Sequence, residues 1–275
     1  MQKHDSPRTD LAVEWAARPD GAPEGVVHCE RQRGSVTVRS VEIRTEEAAR
    51  RLGRAAGTYL TLETRPFSSP VRDLQQEAQA LADELRALLP KEGMVLVVGL
   101  GNQDITPDAL GPAAAEGVFV TRHLKSHLRE LPGMEQLRSV CSAAPGVLGQ
   151  TGFEAAELTK ALTAFLHPAA VIAVDALAAA EPERLGKTVQ LSDTGIVPGS
   201  GVANHRAGLT AETLGVPVIA AGVPTVTEMQ AGEGTALVTP REIDVIIKNA
   251  AELLSLGISL ALQPHLTAEE LLGLM

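Results

Sequence analysis

The chain has 275 residues, 44% of them hydrophobic and 21% charged, enough to bury one large core or one core with a small appendage. Aromatic residues make up only 2%, so Leu, Val, Ile and Ala must fill that core, which suits helices layered on a parallel sheet and leaves few platforms for base stacking. With 24 Lys and Arg against 34 Asp and Glu the formal charge is −10, the wrong sign for wrapping a polyanion, and no nucleic-acid partner is expected.

Residues 1–23 are polar, contain Pro and lack a clear period, which predicts an extended or mobile leader outside the core. GSVTVRSVEI then alternates Val36, Val38, Val41 and Ile43 with polar neighbours, with one break of phase at Arg39 and Ser40. GTYLTLETRPF follows with Tyr59, Leu60 and Leu62, so two strands or a hairpin are predicted around the helix-forming EEAARRLGRAAG. Between residues 71 and 89, Leu74, Ala78, Leu81, Leu85 and Leu88 recur at three and four residue steps, one face of an amphipathic helix stopped by Pro90 and Gly93.

Three short apolar runs come next, MVLVVGLG, VIAVDAL and PVIAAGVP, with the helical GFEAAELTKALTAFL between the first two. Buried strands alternating with helices predict an α/β fold with a central parallel or mixed sheet flanked by helices. Toward the end, Thr239 as N-cap, Pro240 at the first helical position and Glu242 three residues past the cap predict a capping box on a long terminal helix, repeated in the tail by Thr267 and Glu270. No apolar run is expected to span a membrane, and the opening MQKHDSPRTD has no hydrophobic stretch for export, so a cytoplasmic location without a membrane partner is predicted. Cys29 and Cys141 stand far apart without metal-ligand spacing, which predicts a reducing compartment, no structural disulfide and no zinc site.

In such a sheet the chemistry belongs where loops leave the carboxyl ends of strands, and three of those loops carry aspartates. GLGNQDITPDALGP holds Asp104 and Asp108; a dinucleotide fingerprint would need glycine at position 104, where Asp104 would repel a phosphate, so no nucleotide cofactor is expected. Asp175 ends the otherwise apolar VIAVD run, where desolvation favours the protonated carboxyl and prepares it for proton transfer; the alternative is a cap on the next helix. LSDTGIVPGSGVANHR offers Asp193, Ser200 and His205. A pepsin-like fold would need two such loops from two β-lobes, and a serine triad would need a nucleophile elbow that is absent. Asp108 and Asp175 with His123 or His205 could ligate a divalent ion, but no HExxH spacing supports it, and no metal is expected.

The strings RTDLAVE, GTYLTLE, VVGLGNQDITPDALGP with VTRHL, APGVLGQTGFEAAE, VIAVDALAA, SDTGIVPGSGVANHR and ETLGVPVIAAGVPTV resemble, in the same order, the spore germination protease family. That resemblance implies an endopeptidase degrading small acid-soluble spore proteins in the spore core, an autoprocessed zymogen and a homotetramer. It implies a phosphorylase/hydrolase-like fold similar to the hydrogenase-maturation peptidases, whose metal-dependent activity is the rival reading. It places the catalytic aspartates on Asp108 and Asp175; Asp193 is a third candidate from the residues themselves. The family's cleavage pattern, an acidic residue followed by a hydrophobic residue, Ala, any residue and Glu, is matched by Asp10, Leu11, Ala12, Val13 and Glu14. Self-cleavage between Asp10 and Leu11 is therefore expected, dividing a propeptide at 1–10 from a single domain at 11–275 with a smaller N-terminal β-containing portion.

Overall fold

A computed structural model describes residues 9–16, 23–124, 136–198, 207–231 and 234–274. In chain order its elements are α1 (Ala12–Ala16), β1 (Val26–Arg33), β2 (Val36–Ile43), α2 (Glu46–Leu52), β3 (Gly57–Glu63), α3 (Leu74–Leu88), β4 (Val95–Gly99), α4 (Leu110–Glu116), β5 (Val140–Ala143), α5 (Leu148–Thr151), α6 (Ala155–Leu166), β6 (Ala170–Ala179), β7 (Thr188–Ser192), α7 (Ala211–Leu214), β8 (Val218–Ala231), β9 (Gly234–Val238), α8 (Ile243–Leu262) and α9 (Ala268–Leu274). The strands form one sheet in the order β1-β2-β3-β7-β8-β6-β4-β5, with β9 paired to β8. Neighbours among β5, β4, β6 and β8 run parallel, while β1/β2, β2/β3, β3/β7 and β7/β8 are antiparallel. The sheet is thus mixed, and β1–β3 continue it.

Helices cover both faces. On the first, α3, α4, α8 and α9 bury Leu81, Leu85, Leu110, Leu254 and Leu271 against Val97, Ile172 and Ile219. On the second, α6 and α7 pack over Leu96, Val98, Val171 and Ala173, while α1 and α2 pack over Val41, Ile43 and Tyr59. The phase break in β2 acquires its reason here. Val36 and Val38 belong to the first-face core and Val41 and Ile43 to the second, along one uninterrupted ladder with β3.

Helix α3 starts where Asp73 accepts the Gln76 N–H at 3.1 Å and presents its apolar stripe to α8. Gly257 of α8 permits that approach, since a Cβ there would lie 2.6 Å from Leu81 Cδ2. The helix has 20 residues with a mean hydropathy of 1.6 over its most apolar window, and 78% of that window is buried in the protein. By length and composition it could cross a membrane, which corrects the expectation that no run is long enough; its apolar surface is spent on the core.

Three further expectations are corrected. Residues 9–16 are core rather than a leader outside it: Leu11 and Ala12 are fully buried, and Trp15 packs edge-on against Tyr59 at a centroid distance of 5.1 Å. Thr239 does not cap α8; its hydroxyl donates to Thr225 O at 2.8 Å, and the helix begins after Glu242. Asp175 lies sixth in a ten-residue strand, not at its end, and the strand runs on past it, so it caps no helix. The tail behaves as read: the Thr267 N–H donates to Glu270 Oε2 at 2.8 Å, the Glu270 N–H donates back to Thr267 Oγ1 at 3.2 Å, and the first of these bonds holds the Glu270 carboxyl below its usual range.

Helix α4 is pressed onto the sheet through Gly111. A Cβ there would sit 2.1 Å from Leu100 O and 2.5 Å from Val174 O, both backbone atoms that no rotamer change can move aside. Gly111→Ala should therefore cost about 1–3 kcal/mol or more, read as a lower urea midpoint at unchanged slope; an unaltered midpoint would contradict this packing.

Candidate active site

Strand β4 ends at a point where the topology reverses. From it the chain crosses the first face through α4 to β5, returns across the second face through α6, and enters the sheet on the other side of β4 as β6. Such a reversal leaves a crevice beyond the carboxyl ends of the strands. Into it the loop 100–109 folds back, with Leu100 donating to Val174 O at 2.8 Å.

That fold-back sets Asp108. Gly101 has φ of +113°, and a Cβ on it would lie 2.1 Å from Asp108 O. The Asp108 carboxylate accepts the Asn102 N–H at 2.7 Å, its backbone N–H donates to Ile105 O at 2.8 Å, and Pro107 O accepts the Thr225 hydroxyl of β8 at 2.8 Å. Asp104 stays outside this closure; it is exposed and accepts from Gln150 Nε2 at 2.9 Å.

Asp175 is the residue after Val174, the last β6 partner of β4, and it is 5% exposed. Its Oδ1 accepts the Ala176 N–H at 2.9 Å. Opposite it on β8 stands Gly222, where a Cβ would come 2.5 Å from Asp175 O and 2.7 Å from Leu177 Cγ. The turn that carries Asp108 packs against β6, the strand that carries Asp175, where β4 ends. Asp193 is elsewhere: it is exposed beyond β7, its Oδ1 accepts the Thr58 N–H at 2.7 Å, and its own N–H donates to Thr58 O, latching β7 to β3. Ser200 and His205 lie outside the described residues.

Asp10 and Leu11 lie against the later half of β6. Asp10 N–H donates to Ala178 O at 3.0 Å, and Ala178 N–H donates to Asp10 Oδ2 at 2.9 Å. Leu11 is buried against Leu177 and Ala179, which by strand alternation share a face with Asp175. Ala12 N–H donates to Gln190 Oε1 at 3.1 Å, an oxygen that also accepts the Thr61 hydroxyl at 2.8 Å. A cavity of about 350 Å³ opens alongside, lined by Asp10, Tyr59, Leu177, Gln190, Ser192 and Gly222 among others. Burial pushes the Tyr59 phenol up, and its hydroxyl donates to Ala55 O at 2.8 Å, so it faces this space neutral. Gln190 escaped the sequence reading although it is a polar residue inside the strand TVQLS; Arg184, which pairs with Glu14, carried no sequence signal at all.

The model of the germination protease family matches residues 9–235. The chain belongs to that family of peptidases. It is 39% identical to the germination protease of Caldanaerobacter subterraneus subsp. tengcongensis over 96% of both chains. With that of Clostridium perfringens (strain ATCC 13124) it shares 36% over 96% of this chain and 97% of the other. With that of Bacillus subtilis (strain 168) it shares 44% over 80% of this chain and 63% of the other. Among solved structures, a NiFe hydrogenase maturation protease from Thermococcus kodakarensis aligns over 65% of this chain and 98% of its own, with a TM-score of 0.42 and 22% identity. Membership favours the germination protease over the maturation-peptidase reading.

Among the described residues no three His, Cys, Asp or Glu side chains gather as a metal-binding group, and His123 is exposed. Of the cysteines, Cys29 is exposed on β1, whereas burial raises the Cys141 thiol above its ordinary range and keeps it protonated near neutral pH. Iodoacetamide at pH 7.5 should therefore alkylate Cys29 first and leave peptidase activity intact, as followed by peptide mass mapping. Rapid labelling of Cys141 with loss of activity would contradict the assignment of both cysteines outside the chemistry.

Proposed function

We propose that this chain is an endopeptidase that begins the degradation of small acid-soluble spore proteins in the spore core during germination. In this reading it is made as a zymogen, works as a homotetramer and releases residues 1–10 by cutting between Asp10 and Leu11. The observation that carries the proposal is the placement of Leu11: fully buried on the face of β6 that bears Asp175, with Asp10 bonded to Ala178 just beyond. An acidic residue followed by Leu, Ala, Val and Glu thus runs along the strand that carries Asp175, and in this reading family substrates of the same pattern take that place.

Asp108 and Asp175 are the catalytic pair in this proposal. Peptide hydrolysis needs one carboxylate to take a proton from the attacking water and one carboxylic acid to deliver a proton to the carbonyl oxygen or the leaving amine. Two carboxyl groups in one corner repel as anions and share protons, which splits their titration and lets one act as base while the other acts as acid. The roles belong to the pair jointly. Water oxygen forms the new bond to the carbonyl carbon, the carbon–nitrogen bond breaks, and the Leu11 amine leaves with a proton. Asp193, spent on the Thr58 amide, is left outside the pair.

The test uses a peptide with an acidic-hydrophobic-Ala-x-Glu site and compares the wild type with Asp108→Asn and Asp175→Asn, which keep shape and remove the titrating group. Each variant should lose at least about 100-fold in kcat/KM, the lower end for general acid–base catalysis, with unchanged folding by circular dichroism. Full activity in either folded variant removes that aspartate from the mechanism.

A further inference from the structure

The segment 9–14 is held by its individual side chains. Asp10 takes the Ala178 amide, Leu11 fills an apolar site against Leu177 and Ala179, Ala12 is fully buried beside Gln190, and Val13 is only partly covered. The strongest hold is on Glu14. Its side chain is 3% exposed; Oε2 accepts the Ala180 N–H at 2.8 Å, Oε1 accepts the Glu181 N–H at 3.0 Å, and Arg184 Nε stands 3.5 Å from Oε1. The Thr9 hydroxyl adds a bond to Oε2 from within the segment.

These contacts arise from the way β6 ends. After Ala179 the strand breaks into the turn Pro182–Arg184, which points two successive amides outward and returns Arg184 over them. Arg184 has anchors besides Glu14: its Nε donates to Glu181 at 2.8 Å and its Nη1 to Glu63 at 3.0 Å. The result is a socket in which two backbone amides donate to Glu14 and the Arg184 guanidinium sets its charge beside them. A carboxylate offers acceptors on both oxygens and suits it; a glutamine amide offers one acceptor and turns its NH₂ toward an amide or a guanidinium.

We propose that this socket is a receptor for a glutamate on the peptide substrate, four residues beyond the bond to be cut, with Arg184 as the residue that determines that preference. Glu14 occupies it in the uncut chain, and a substrate glutamate replaces Glu14 when the segment is displaced. The proposal rests on the reading of Asp10–Leu11 as the processed bond, which sets the count of four.

Binding tests it independently of cutting. Full-length chain carrying Glu14→Gln, which weakens the hold of the segment, is titrated with fluorescein-labelled peptides Asp-Leu-Ala-Val-Glu-Ala and Asp-Leu-Ala-Val-Gln-Ala, and anisotropy is recorded. The Glu peptide should bind about 10- to 100-fold more tightly, as expected for losing charge-assisted bonds in a covered site. Adding Arg184→Gln should cut that ratio at least about fivefold, with Arg184→Lys intermediate if the first variant fails to fold. Equal affinity for the two peptides, binding of neither, or an unchanged ratio in a folded Arg184 variant would overturn the receptor. A peptide bound with this preference but never cut would contradict the proteolytic reading and leave the receptor standing.

Discussion

A carboxylate at 5% exposure in the middle of a strand buried on both faces is costly unless its surroundings make room for it and hydrogen-bond it, and the neighbourhood of Asp175 is organised around that demand. Strand β8 presents Gly222 across the ladder, where any side chain would strike the Asp175 carbonyl oxygen and Leu177. Strand β4 makes room by stopping one residue short, at Gly99, after which the chain turns back and sets Asp108 against Gly101 and the Asn102 amide. Gly111 lets α4 lie close enough to hold that turn against Val174.

The rest of the sheet divides the labour between its faces. The first face is closed by α3 and the apolar α8, whose Ser259 and Gln263 reach out to bond the Phe119 and Arg138 amides. The second face is closed at both ends, by α6 and α7 over the parallel strands and by α1 and α2 over β2 and β3, which leaves a trough above β6, β8 and β7. Residues 9–14 lie in that trough, and the cavity beside Asp10 and Gln190 is the part they leave open. The same segment thereby couples the small cluster around Trp15 to the strand that carries Asp175.

The buried strands were legible in the sequence because a parallel strand covered on both faces reads as a continuous apolar run, as β4, β6 and β8 do. The break of phase in β2 was legible too, though its cause, burial first on one face and then on the other, needed the partners. Strand β1 was not legible: VVHCERQR is an exposed edge with no alternation, held instead by Glu84 of α3, which pairs with Arg31 and Arg33, 51 to 53 residues away in the chain. Residues 9–16 were misread for a related reason, since the groups that bury Leu11 and Trp15 come from positions 177, 179 and 59 and leave no trace in a local window. Asp175 looked like a strand end because a charge interrupts the run; the continuation ALAA, buried but for a half-buried Ala176, showed only in the ladder with β8. The loop carrying Asp108 was visible as a site, while the socket around Arg184 was not, because two of its donors are backbone amides.

In the proposed reading the uncut chain holds the bond to be cut, between Asp10 and Leu11, along the strand that carries Asp175. Intact-mass spectrometry of purified full-length chain, incubated at mildly acidic pH, tests this most directly when wild type and Asp175→Asn are followed side by side. A product beginning at Leu11 is expected in the wild type and none in the variant. A wild-type chain that stays whole, or a variant that yields the same product at the same rate, would overturn the proposed processing.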